Sequence, residues 1–117
     1  MTIREAIARI DSLKHNTYTN REKVEWLSRL DGLIYIQIMG GKSYGAYDEA
    51  KDMDAYLLVD MPYDDIYIRW LEAQIDYYNG EIIRYNNSIA MYQEVYDTYQ
   101  RWYNRTHTPK QTYTLKF

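Results

Sequence analysis

Residues 64–104 read DDIYIRWLEAQIDYYNGEIIRYNNSIAMYQEVYDTYQRWYN, and the interpretation of this stretch decides the fold. Leu71, Ile75, Tyr78, Ile82, Tyr85, Ile89, Tyr92, Tyr96, Tyr99 and Tyr103 recur at alternating steps of 4 and 3. That is a heptad seam, the mark of a helical face packed on a partner. A strand would show period 2, and no such alternation survives. The seam crosses Gly80 without a change of phase. The spacing therefore predicts one long helix, with Gly80 a soft spot or kink costing about 1 kcal/mol relative to Ala. At about 1.5 Å per residue such a helix spans roughly 60 Å. A compact domain of this length is narrower than that. Part of the helix is expected to project, or to lie against something other than its own chain.

The chain has 117 residues, enough for one domain with a modest core. Its net charge of -3 gives no global basic field to recruit nucleic acid or anionic lipid. The absence of cysteine removes disulfides, thiolate catalysis and cysteine zinc sites. The first residues, MTIRE, are charged where a signal peptide needs an apolar run. The longest apolar run, residues 33–39, is interrupted by Gln37 and is far short of a membrane span. A soluble protein made without an export signal is expected. Tyrosine stands out: fifteen against one phenylalanine, nine of them between Tyr63 and Tyr103. Tyr buries a large ring but keeps a hydroxyl that needs water or a partner, which favours an interface or half-wet groove over a dry core.

The remaining elements follow in order. Thr2 with Glu5 forms a capping box, and Ile3, Ile7, Ile10 and Leu13 mark one helical face ending near His15–Asn16. Thr19 with Glu22 opens a second helix. Val24, Leu27, Leu30, Ile34 and Ile38 form its buried stripe, Trp26 and Leu33 widen it, and Gly40-Gly41 stops it. Residues 1–39 are thus a helical hairpin. Residues 40–61 begin as a glycine-rich acidic loop with one helical turn near residues 48–51, then give a candidate strand, AYLLV, at residues 55–59. Pro62 stands near the first position of the long helix (62–105), with Asp60 as a cap and Asp64 and Asp65 in the first turn. Beyond it, residues 106–117 form a basic tail. Its last seven residues, QTYTLKF, alternate like a strand. Residues 55–59 are that strand's natural partner, in this chain or in a neighbouring one. The fold class is therefore mainly α: an N-terminal hairpin packed on one long C-terminal helix, with a minor two-strand element.

Few side chains promise chemistry. His15 at a helix end and His107 in the tail read as surface or capping histidines rather than bases. Asp64 and Asp65 point about 100° apart on a helix, so a helix start explains them better than a metal pair. Glu72 and Asp76 share a face, but Arg69 beside Glu72 makes an ordinary surface ion pair. No phosphate loop, HExxH or GxSxG occurs. Two N-x-S/T triplets, at Asn86 and Asn104, read as chance matches without a secretion signal. Neither an enzyme nor a cofactor or metal site is expected. The region 62–107 holds seven acids against four arginines, which argues against specific nucleic-acid binding despite its aromatic rows.

A second stripe, Trp70, Ala73, Tyr77, Met91, Val95 and Trp102, lies beside the seam and widens the apolar face. Two shorter helices cannot shield a 41-residue one on both sides. The expectation is a subunit interface at Tyr85, Tyr92, Tyr96, Tyr99, Trp102 and Tyr103, since Tyr and Trp are enriched at interfaces. The tail, through Lys110, Tyr113, Leu115 and Phe117, is expected to dock on a partner by strand addition.

The order of these parts is a helical hairpin, an acidic loop, LLVDMPYDDIYIRWL at residues 57–71, IDYYNGEIIRYNNS at 75–88 and YQRWYNRTH at 99–107. It resembles small proteins of the head-assembly module of tailed bacteriophages and prophages, and looks like the head–tail connector, or adaptor, proteins. The resemblance covers most of the chain and is one of layout. It implies a small, mostly helical ring subunit that docks on the portal, extends the DNA channel and meets tail-proximal proteins. It also implies residence in the host cytoplasm during assembly and then in the virion. The acidic bias would suit a channel through which DNA slides. The alternative reading is a dimeric regulatory or interaction protein of a prophage.

Overall fold

The computed structural model describes residues 1–107 in four helices: α1 (Ile3–Leu13), α2 (Asn20–Gln37), α3 (Asp65–Tyr78) and α4 (Ile82–Thr106). Lys110, Tyr113, Leu115 and Phe117, and with them the expected tail strand and its docking role, lie outside the described residues. Both capping boxes form. Thr2 and Thr19 side chains accept from the Glu5 and Glu22 amides at 3.1 and 3.2 Å, and each glutamate reaches back to its cap amide. These return bonds hold both carboxyls below the usual glutamate range.

The stretch 64–104 is not one rod. Asn79, Gly80 and Glu81 turn the chain back, so α3 and α4 lie side by side as an antiparallel hairpin. Gly80 takes φ +74, its amide bonds the Tyr77 carbonyl at 3.0 Å, and the Glu81 amide bonds the Asp76 carbonyl at 3.0 Å. That pair of bonds around a left-handed residue is a Schellman C-cap, a conformation that glycine adopts without steric cost. The seam kept its phase because three turn residues replace about one helical turn. Tyr78 to Ile82 is four steps whether the chain between them is helix or turn.

α3 is the central helix and packs on the other three. Ile66, Leu71 and Ile75 are fully buried against Ile3, Ile10, Leu27, Leu30 and Ile34. Each such side chain contributes about 1.5–3 kcal/mol on leaving water. The Trp70 indole N–H donates to the Trp26 carbonyl at 2.8 Å, fastening α3 to α2. In the α3–α4 hairpin, Ser88 donates to buried Asp76 at 2.9 Å, and Lys14 Nζ at the end of α1 sits 2.8 Å from the other Asp76 oxygen. Leu13 and Leu33, expected in the core, are 64% and 40% exposed because they fall past the edge of the face that α3 covers.

Residues 55–59 do pair, but with the chain start. Tyr56 makes an isolated antiparallel bridge to Thr2, and the Leu57 amide donates to the Met1 carbonyl at 3.0 Å. Ala55 and Met53 carbonyls accept from the Ile3 and Arg4 amides at 3.1 and 2.8 Å, which satisfies donors that the first turn of α1 leaves open. No two-strand element forms among the described residues. The expected turn near residue 48 is present, with the Asp48 carbonyl accepting from Lys51 and Asp52. Pro62 precedes the helix rather than starting it. Tyr63 N–H closes a turn on Asp60, and Asp64 is the cap residue, without a side-chain cap bond.

Candidate interaction surfaces

The expected interface residues divide by where the hairpin puts them. Tyr92 and Tyr99 are 7% and 3% exposed and belong to the chain's own core. Tyr92 packs on Trp70 with ring centroids 4.9 Å apart, and Tyr99 on Tyr63 at 5.7 Å. Burial raises both hydroxyl pKa values, that of Tyr99 to about 12. Folding at Gly80 supplies from α3 the cover that the rod reading sought in another subunit. Tyr96 is half-buried, and its hydroxyl donates to Gln37 Oε1 on α2 at 2.6 Å. Tyr85 is half-buried beside Tyr77 at 5.3 Å.

Trp102 and Tyr103 sit on the part of α4 that outruns α3. Tyr63, just before α3, lies level with Tyr99 and Trp102, so the last two turns of α4 extend past the start of its partner helix. Trp102 leans on Tyr63 at 5.0 Å, Tyr103 stacks on His107 at 3.8 Å, and both rings stay half-buried. Arg101 and Arg105 flank them in the open.

The opposite end of the hairpin carries a surface that the seam reading assigned to a helix interior. Tyr18, Trp26, Tyr78, Tyr77 and Tyr85 form a continuous ladder of ring contacts. Trp26 stacks on Tyr78 at 5.5 Å with planes 8° apart, and Tyr77 meets Tyr78 edge-on at 5.1 Å. Tyr18 anchors the ladder, its hydroxyl donating to Asn79 Oδ1 at 2.7 Å. At the tip of the hairpin, on either side of the turn, Tyr77, Tyr78, Ile82 and Ile83 are 57, 52, 65 and 80% exposed. Asn79-Gly80, a turn dipeptide, was the sequence signal that could have exposed this tip.

A polar centre inside the bundle also escaped the sequence reading. Asp31 on α2 is fully buried and accepts from the Tyr67 hydroxyl at 2.6 Å, the Leu58 amide at 3.0 Å and the Tyr47 hydroxyl. Tyr67 in turn accepts from the Val59 amide at 2.8 Å. One carboxyl therefore ties α2, α3 and the 44–59 loop together. Burial raises the Asp31 pKa against the lowering effect of these donors, and raises both tyrosines well above the ordinary phenol. The polar partners are all structural, and the hydroxyls are spent on Asp31.

A cleft of about 630 Å³ opens between α2 and residues 46–50, lined by Arg21, Glu25, Ser28, Tyr47 and Asp48. Its Ser28 hydroxyl already accepts from the Tyr47 amide at 2.9 Å. His15 and His107 lie at exposed helix ends. Among the described residues no group of three or more His, Asp or Glu is placed to hold a metal ion, and no helix is long and apolar enough to cross a membrane. No family model, curated protein or solved structure matches the chain.

Proposed function

We propose that this chain is a non-enzymatic structural subunit of the head–tail connector type, working in the head-assembly module of a tailed bacteriophage or prophage. The observation that carries the reading is the overhang of α4. A helix that runs past the start of α3, bearing Trp102 and Tyr103 on one side and Arg101 and Arg105 on the other, is an arm suited to a neighbour. The layout of the chain, hairpin first and long helix last, supports the same assignment by resemblance. In this reading Tyr96, Trp102 and Tyr103 meet the assembly, while Tyr92 and Tyr99 hold the arm in place. The subunit would dock on the portal and contribute to the wall of a DNA channel, without gripping DNA.

Light scattering of the protein mixed with isolated portal rings tests this. The expected result is a stoichiometric complex that Trp102→Ala with Tyr103→Ala weakens at least tenfold while the circular dichroism spectrum stays that of the wild type. A protein that forms no complex with portal rings at any ratio would overturn the reading. A discrete complex with a soluble host protein instead would favour a dimeric regulatory role.

A further inference from the structure

We infer that Asn79 is a spontaneous deamidation site which the fold holds latent and which is released when the α3–α4 turn opens. This does not rest on the connector reading, since it concerns the chemistry of the chain by itself. Of the six asparagines, Asn79 alone precedes a glycine. An asparagine–glycine pair is the most reactive setting for this chemistry, because no side chain hinders the attacking amide. The Gly80 nitrogen gives up its proton and bonds Asn79 Cγ, the Cγ–Nδ2 bond breaks, and ammonia leaves with that proton. Water then opens the five-membered imide at either of its two carbonyls, leaving aspartate or isoaspartate. No other reactant is needed.

Both residues are exposed, so water reaches the pair, and what withholds the reaction is geometry. Asn79 has ψ -9, which sets the Gly80 nitrogen almost eclipsed with Asn79's own backbone nitrogen. Ring closure needs it eclipsed with Cβ instead, a large rotation about the Cα–C bond. That rotation pulls the Gly80 amide off the Tyr77 carbonyl and the Glu81 amide off the Asp76 carbonyl, each now at 3.0 Å. A second restraint acts on the side chain. The Tyr18 hydroxyl donates to Asn79 Oδ1 at 2.7 Å, and the Tyr18 ring is seated edge-on against Trp26 at 5.3 Å. The carboxamide is thus fastened to the segment between α1 and α2 and is not free to follow a moving backbone. Reaction waits on local opening of the turn. The two products then differ. Isoaspartate routes the backbone through the side-chain carbon and lengthens it by one methylene just before Gly80, so the two capping bonds no longer fit together. Aspartate keeps the backbone length and adds only a negative charge at the C-terminal end of α3.

Mass spectrometry of the whole chain during incubation at mildly alkaline pH, beside a peptide of residues 75–84, tests the inference. The peptide is expected to deamidate at Asn79 at least tenfold faster than the folded chain. Tyr18→Phe keeps the ring and frees the carboxamide, and should speed the folded chain at least threefold with unchanged circular dichroism. Amide exchange on the aged chain gives a readout that needs no variant at Tyr18. The isoaspartyl form should lose protection at the Glu81 amide while the Leu27 and Leu71 amides keep theirs, whereas Asn79→Asp keeps protection at Glu81. A folded chain that reacts as fast as the peptide, a Tyr18→Phe chain no faster than the wild type, or an isoaspartyl form with Glu81 still protected would each overturn it. Portal binding can fail or succeed without altering any of these outcomes.

Discussion

Replacing Asp31 with Ala should be among the most damaging single changes this chain can suffer. Its carboxyl is fully buried and serves Tyr67, Tyr47 and the Leu58 amide at once. A buried donor stripped of its acceptor costs about 1–3 kcal/mol. Tyr67 and Leu58 carry most of that, because half-buried Tyr47 keeps a contact with the Tyr44 hydroxyl at 3.1 Å. The loss is then roughly 3–6 kcal/mol, against a typical domain stability of about 5–15 kcal/mol. Asp31→Asn should cost less, about 1–2 kcal/mol, since one oxygen remains while the new amide donor faces another donor. Urea unfolding at neutral pH with a common slope gives both numbers. The pH dependence adds a second handle. Burial raises the Asp31 pKa, so the proton-linked part of its contribution is complete below the unfolded value and is lost as pH rises through the folded one, while its hydrogen bonds from Tyr67, Tyr47 and Leu58 remain. Asparagine does not titrate. The gap between wild type and Asp31→Asn should therefore widen on acidification toward about pH 4, with the effects of other carboxyls cancelling in the difference. If Asp31→Ala loses under about 1 kcal/mol, the carboxyl is not what joins the loop to the helices.

Three further outcomes follow from the same structure. Gly80→Ala puts a side chain at φ +74 and should cost about 1–2 kcal/mol, seen as a melting temperature lower by several degrees; no change would mean that the turn can be rebuilt. Tyr92→Glu with Tyr99→Glu buries two charges among Trp70 and Tyr63, and should abolish cooperative unfolding rather than merely separate subunits; a folded monomer by circular dichroism would restore the interface role to these rings. The raised phenol pKa values of Tyr67, Tyr47, Tyr92 and Tyr99 (the last at about 12) stabilise the fold fully below the ordinary tyrosine value and progressively less above it. The urea midpoint should hold to about pH 9 and fall steeply by about pH 11, with tyrosinate absorbance rising in step with unfolding rather than before it.

How much of this was legible can be said element by element. The hairpin was, because two capping boxes and a 3.6-residue stripe fix its ends and its face locally, and Ile3, Ile10, Leu27 and Ile34 are buried as the spacing required. The turn at Gly80 was not. A heptad count registers only spacing along the sequence, and a three-residue turn between Tyr78 and Ile82 keeps that spacing at four while reversing the chain, leaving both seam residues exposed. The pairing of residues 55–59 with Thr2 was equally hidden, since it depends on where α1 happens to start in space and not on any alternation. Asp31 was invisible for a third reason. One acid inside an apolar stripe has no periodicity, and its three donors come from residues 16 to 36 positions away.

The tyrosine content itself changes meaning once the hairpin is closed. Read from composition, so many hydroxyls argue against a core and for a subunit interface. In a bundle as small as this one, however, no buried position is far from a polar group, and a ring can fill the interior while its hydroxyl reaches the edge. Tyr67 and Tyr47 reach Asp31, Tyr96 reaches Gln37, and Tyr18 reaches Asn79, each joining two elements that phenylalanine would only touch. The rings are therefore used for the fold first. What argues for association is the smaller set with no such employment. On the arm these are Trp102 and Tyr103. Tyr→Phe changes separate hydroxyls from rings. At Tyr67 the change should lower stability by about 1–3 kcal/mol and leave association untouched, because the lost hydroxyl faces inward. At Tyr77 it should leave stability unchanged, because there the ring, packed on Tyr78 and Tyr85, is the contact and not the oxygen.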